Sequence, residues 1–124
     1  MAKISIAIDV PDLARATAFY TDALGCEKLR EQPPNMVVLS TGGVEIYLLE
    51  KASNTNPLPG DSPSRSYERH WTPVHLDFAI ADVQGTVARI VESGGSHEGG
   101  EKGQWGEIAY CADPFGNGFC VIRE

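Results

Sequence analysis

The sequence predicts an α+β fold of two tandem modules, each a strand followed by a helix and then two or three further strands. Three observations carry that expectation. The stretch Val74–Gly95, VHLDFAIADVQGTVARIVESGG, lies over Ile4–Gly25 at a constant offset of 70 residues with no gap. In both copies apolar residues first alternate and then recur at helical spacing, the pattern of a half-buried strand entering an amphipathic helix. Two later apolar runs, Met36–Ser40 and Val44–Leu49, flank Thr41-Gly42-Gly43, which is a hairpin signal. Only three aligned pairs are identical, Asp12/Asp82, Ala18/Ala88 and Gly25/Gly95, so the repeat rests on a pattern kept in register and not on identity.

The first predicted strand turns Ile4, Ile6, Ile8 and Val10 to one side and Ser5, Ala7 and Asp9 to the other. Pro11 and Asp12 end it. Asp12 is placed to cap a helix whose stripe is Leu13, Thr17, Tyr20 and Leu24, and Gly25 stops that helix. An extended segment follows, with paired prolines between Arg30 and Asn35. In the second hairpin strand Val44, Ile46 and Leu48 share one face, so Glu45 and Tyr47 emerge together on the other. Residues 51–73 are rich in Asn, Ser and Pro and read as a linker or mobile loop between a module at 1–50 and another at 74–124. In the second module Val74, Leu76, Phe78 and Ile80 oppose His75, Asp77 and Ala79, and Asp82 caps a helix carrying Val83, Val87 and Ile90. Ser93–Gly106 reads as a flexible connection. Glu107–Ala112 and Gly118–Arg123 are the last strands, joined by the turn Asp113-Pro114-Phe115-Gly116-Asn117.

Bulk properties narrow the function. At 124 residues the chain is one domain by size, and a module of about 50 residues buries too little surface to stand alone. The formal charge of -7, from 17 acidic against 10 basic residues, comes with no Lys/Arg cluster, which argues against nucleic acid. No apolar run approaches the ~20 residues of a membrane span, and Met1-Ala2-Lys3 enters a strand without a signal-like segment, so a cytoplasmic protein away from membranes is expected. Cys26, Cys111 and Cys120 are odd in number and lack metal-ligand spacing, consistent with reduced thiols.

The N-terminal "VPDLARATAFYTDALG", the repeat stretch itself and the C-terminal "DPFGNGFCVI" resemble the vicinal oxygen chelate superfamily, which includes glyoxalase I, extradiol dioxygenases and bleomycin-resistance proteins. The likeness is nearest to its glyoxalase-like domains and covers nearly the whole chain. It implies two βαβββ modules forming a cup-shaped half-open barrel, lined by the strand faces that do not meet helices, and commonly a homodimer. Metal-dependent members draw ligands from the first and last strands of each module. Those positions fall here on Ser5, Tyr47, His75 and Cys120, where such relatives more often have His or Gln, Glu, His and Glu, and only His75 matches. No cofactor is therefore expected. A divalent metal recruited by His75 and Glu45 is the alternative, since Glu45 lies one alternation step from Tyr47.

The expected ligand is a small organic molecule. His75 and Asp77, two apart on one strand, start ~6 to 7 Å apart on the cavity face, and a carboxylate neighbour suits an imidazole acting as general acid or base. The plainer reading is a histidine that only hydrogen-bonds within a polar cup. Cys120 is a nucleophile if a nearby cation lowers its pKa, and otherwise a small buried residue. Tyr47, Tyr110 and Trp105 are rings able to stack on a ligand or to pack in the core, with Trp105 placed at the cavity mouth and Trp71 a weaker candidate of the same kind. Ser5 and Glu45 complete the candidate ligand contacts. Three functions follow: a metal-independent glyoxalase-like protein that binds or transforms its ligand, with His75 catalytic; a metal-dependent lyase, isomerase or dioxygenase; and a non-enzymatic drug-binding protein of the bleomycin-resistance type.

Overall fold

Asp12 and Asp82 open the two helices, as the repeat predicts. In the computed structural model, which describes residues 2–60 and 63–124, Asp12 is extended and its carboxylate accepts from the Arg15 amide at 3.1 Å. Asp82 accepts from the Gly85 amide at 2.9 Å. Each bond satisfies a donor that the first helical turn leaves unpaired. Met1, Asp61 and Ser62, the last two within the predicted linker, lie outside the described residues. Helix α1 is Leu13–Asp22 and α2 is Val83–Glu92. The chain leaves α1 through the left-handed Gly25 (φ +70), whereas after α2 that conformation falls on Gly94 (φ +95), one residue before the aligned glycine.

Each helix serves a four-stranded sheet. Strands β1 (Ser5–Val10), β2 (Glu27–Gln32), β3 (Met36–Thr41) and β4 (Val44–Glu50) lie in the order β1-β4-β3-β2. Strands β5 (Leu76–Ala79), β6 (Ser96–Gly103), β7 (Gly106–Ala112) and β8 (Gly118–Arg123) repeat it as β5-β8-β7-β6. In both sheets the first strand runs parallel to the last, and the other pairings are antiparallel. The result is two βαβββ modules. Among the described residues no strand pairing joins the two sheets, which stay open.

Three expectations need correction. Ser93–Gly106 is not a flexible connection, because Ser96–Gly103 pairs along β7; an exposed edge strand needs backbone hydrogen bonds more than side-chain burial, so its glycines are tolerated. Strand β5 begins at Leu76 and leaves Val74 82 % exposed, because Asn117, the residue just before β8, is bridged by His70. Ile4 likewise precedes β1 and is 74 % exposed. The described part of residues 51–73 is also pinned to the modules. Arg65 pairs with Asp9 at 2.7 Å, Tyr67 donates to the Lys51 carbonyl at 2.7 Å, and the Asn54 and Arg65 amides bond the Arg65 and Thr55 carbonyls.

One continuous core lies between the sheets and their helices. Ile46 and Leu48 are buried on the face of β4 that the alternation assigned inward, while Phe19 meets Phe119 edge-on at 6.2 Å and Phe119 meets Phe78 at 5.5 Å. Phe19 belongs to α1 and Phe119 to β8, so the first module's helix packs on the second module's last strand. The opposite faces of both sheets are left for other uses.

Candidate functional site

The face of the second sheet turned away from the core gathers most of the chemistry. Asp77 stands beside Cys120 in the β5–β8 ladder, and Cys120 beside Tyr110 in the β8–β7 ladder. Just before β5, His75 places Nε2 3.2 Å from Asp77 Oδ1. One donor atom from each of His75, Asp77 and Cys120 lies within 4.8 Å of the other two. Trp71 stands over this group, its ring perpendicular to His75 (5.5 Å, 87°) and to Tyr110 (6.3 Å, 86°). Trp71, His75, Tyr110 and Cys120, with Glu98 and Ile108, line a cavity of about 480 Å³.

Trp71 is held there by the segment that precedes it. Arg69 grips Glu98 with Nε and Nη2, its guanidinium carbon lies 4.6 Å from the centre of the Trp71 ring, and Trp71 Nε1 donates to Glu98 at 3.3 Å. The hydrogen bonds from Arg69 hold the Glu98 carboxyl below the usual carboxylate range. A β-bulge between His97 and Gly99 puts two residues of β6 opposite Tyr110, so Glu98 and Glu101 both reach the open face. Tyr110 donates its hydroxyl to Glu101 at 3.2 Å. Desolvation, then the charge of Glu101, pushes the Tyr110 phenol up.

Cys120 is a thiol here and not a thiolate. Burial pushes its pKa up to about 11, and the charge of Asp77 and a hydrogen bond to Asp77 add to the shift. A nucleophilic role called for a neighbouring cation, and the neighbour is a carboxylate. The donor chemistry does fit a borderline dication: imidazole, carboxylate and thiol from one face, with open positions left over, and such an ion favours loss of the thiol proton. Asp77 is the member that the family positions did not mark.

Ser5, Glu45 and Tyr47 form a separate group on the first sheet. Ser5 is opposite Glu45 and Ala7 opposite Tyr47; Tyr47 donates to Glu45 at 3.3 Å, and Arg30 approaches Glu45 at 3.6 Å. Among the described residues no hydrogen bond, ion pair or ring contact links this group to His75, Asp77, Tyr110 or Cys120. His75 does reach the seam between the modules, where a cavity of about 560 Å³ is lined by Ala7, Asp9, Arg65, His70 and Asn117 as well. Trp105 lies in the β6–β7 turn, 59 % exposed and against Gly103, apart from the ring cluster. Sequence reasoning missed Glu98 and Arg69. Alternation alone cannot find a residue whose face depends on a bulge, nor one that reaches the site from a segment without periodicity.

A family model described as a glyoxalase-like domain matches residues 5–122. The chain belongs to that family. This glyoxalase-like protein therefore sits within the vicinal oxygen chelate superfamily, and solved structures share its fold. A fosfomycin resistance protein from Listeria monocytogenes is 20% identical, with 100% of this chain and 93% of that one covered and a TM-score of 0.75. Lactoylglutathione lyase from Agrobacterium tumefaciens is 22% identical, with 98% and 92% covered and a TM-score of 0.63. A glyoxalase-related enzyme from Fulvimarina pelagi is 16% identical, with 100% and 89% covered and a TM-score of 0.77. At these identities the likeness concerns the fold alone. No curated protein matches in sequence.

Proposed function

We propose that this glyoxalase-like protein binds a small organic molecule on the open face of its second module and transforms it by metal-independent proton transfer at His75. The observation that carries the reading is the His75–Asp77 pair, 3.2 Å apart at the wall of an aromatic cavity. Asp77 engages Nε2, which leaves Nδ1 to take a proton from a ligand or return one. The positive charge gained by the ring faces the Asp77 carboxylate. Trp71 and Tyr110 orient the ligand by ring contact. Support for metal independence comes from the family positions Ser5 and Tyr47, which are poor ligands and stand on the first sheet with no contact to His75 among the described residues. The same reading takes the protein as a cytoplasmic homodimer.

The test is exchange. Candidate carbonyl compounds and epoxides, with lactoylglutathione and fosfomycin included because the similar structures' names mention them, are incubated with the protein in D₂O. Deuterium incorporation or turnover is followed by NMR. His75→Ala should lower the rate by about 10² or more while ligand binding to Trp71 persists. Equal rates in the variant and the parent remove His75 from the chemistry, and binding without turnover in either leaves a binding protein of the drug-sequestering kind.

A metal-dependent reading rests on a different observation, the convergence of His75, Asp77 and Cys120. Those three residues would hold the ion, which when bound supplies a Lewis acid for a ligand oxygen. Elemental analysis after incubation with Zn, Ni, Fe or Mn decides between the two readings: a retained stoichiometric metal that is lost in Cys120→Ser favours the second, and none retained favours the first.

A further inference from the structure

The walls of the aromatic cavity are rich in hydrogen-bond acceptors and short of donors. Three of the lining side chains give their polar hydrogen to the protein. Trp71 Nε1 goes to Glu98, the Tyr110 hydroxyl to Glu101, and the Cys120 thiol to Asp77. Arg69, which grips Glu98 in the cavity wall, has each of its three nitrogens bonded within the protein. Nε and Nη2 hold Glu98, while Nη1 is shared between the His70 and Gly116 carbonyls. Lys102 is opposite Glu107, whose carboxylate reaches Gln84 on the helix side of the sheet. Glu98 in the wall is matched by Arg69 and accepts from Trp71 and Ser96 as well, so the unbalanced charge is that of Asp77 and Glu101, which touch the lining residues His75 and Tyr110 and keep unused lone pairs.

The rings point the same way. Trp71 already carries a guanidinium on its π face, and His75 and Tyr110 stand perpendicular to it. Perpendicular rings beside carboxylates suit a cation, attracted by ring quadrupoles and by charge at once. An anion would meet the unbalanced charge of Asp77 and Glu101.

From this balance we infer that the cavity lined by Trp71, His75, Glu98, Tyr110 and Cys120 selects a planar or amine-bearing organic cation, such as an amidinium or ammonium compound. The inference rests on the proposed binding of a small organic molecule at this face, and it specifies that molecule's charge. It holds whether the ligand is then transformed or only retained.

Three isosteric probes separate charge from shape: benzamidinium, benzamide and benzoate. They are titrated into the Trp105→Phe protein, where Trp71 is the remaining tryptophan, in buffer with EDTA, and followed by fluorescence and calorimetry. Benzamidinium should bind about tenfold more tightly than benzamide, and benzoate more weakly still, with the benzamidinium affinity falling as salt is added. Glu101→Gln should weaken benzamidinium several-fold and leave benzamide unchanged. Equal affinity for all three probes, a preference for benzoate, or an equal loss for every probe in Glu101→Gln overturns the charge inference and leaves the cavity as a binding site. Silence from all three in both measurements overturns the binding reading as well.

Discussion

Tyr20 and Asp113 meet across 93 positions of sequence, and the way they do so shows how single residues set the properties of this protein. The tyrosine hydroxyl donates to Asp113 at 2.8 Å, and the same carboxylate accepts from the Phe115 amide, the Asn117 amide and the Asn117 side chain. Burial, then the charge of Asp113, holds the Tyr20 phenol well above its usual value. Tyr20→Phe should cost about 1 to 2 kcal/mol in urea unfolding, because a buried carboxylate loses one of its donors. The thiols set an alkaline limit. Burial, the leading cause for each, pushes Cys26, Cys111 and Cys120 up to about 11 from 9.0. A thiol raised in the folded state contributes stability that is full below its unfolded pKa and is lost as pH rises through the folded one. The urea midpoint should therefore stay flat below about pH 9 and fall between about 9 and 11, and the fall should be shallower in Cys111→Ala. At this scale alternation made His75 and Asp77 legible as one face, whereas Cys120 was placed beside them by the resemblance and Tyr110 was read as a ligand contact or a core ring alike. Glu98 was hidden because one inserted residue in β6 changes which side chains share a side.

At the scale of elements, the segment ending in Trp71 acts as a strap fitted to the turn before β8. A Cβ on Gly118 would lie 3.0 Å from both terminal nitrogens of Arg69 and 3.1 Å from the Trp71 ring, and one on Gly116 would lie 2.9 Å from the Tyr67 and Glu68 carbonyl oxygens. Gly116 is also left-handed (φ +86). The glycines of DPFGNG thus let backbone and rings approach, a use that turn propensity does not reveal. Gly118→Ala should push aside the flexible end of Arg69, shift Trp71 emission and weaken ligand binding severalfold, at a stability cost below about 1 kcal/mol. Gly116→Ala meets carbonyl oxygens and an unfavourable φ together, so its cost should exceed about 1 to 2 kcal/mol, read from the thermal midpoint. Both helices and strands β1, β4 and β5 were legible because each buries chiefly one face and so imprints a period on the sequence, and β3, β7 and β8, buried at consecutive positions, showed as apolar runs between turn residues. The strap and β6 were not. One is held by polar contacts to Asp9, Glu98 and backbone carbonyls, the other by ladder bonds, and neither force requires apolar periodicity.

For the whole molecule, the repeat predicts two modules, and the contacts between them decide how they behave as one body. Phe19 on α1 meets Phe119 on β8, Tyr20 meets Asp113, and the Asn117 side chain donates to the Asp9 carbonyl at 3.3 Å. Both partners in the two side-chain pairs are buried, so separating the modules would expose aromatic surface and strand a carboxylate. Such a union was legible only as a need, from the size of each half, and not in its residues, since contacts so distant in sequence leave no local pattern. Coupling of this kind has a measurable signature, because both tryptophans, Trp71 and Trp105, report on the second module or its strap while circular dichroism reports on both sheets. Phe19→Ala removes a buried ring from the first module and should cost about 3 to 5 kcal/mol. If the modules unfold together, tryptophan fluorescence must register that loss in full, and its urea midpoint should fall alongside the circular dichroism midpoint in a single transition. A fluorescence midpoint that stays at the parent value while the circular dichroism transition splits in two would mean that the aromatic contact joins two bodies that fold independently.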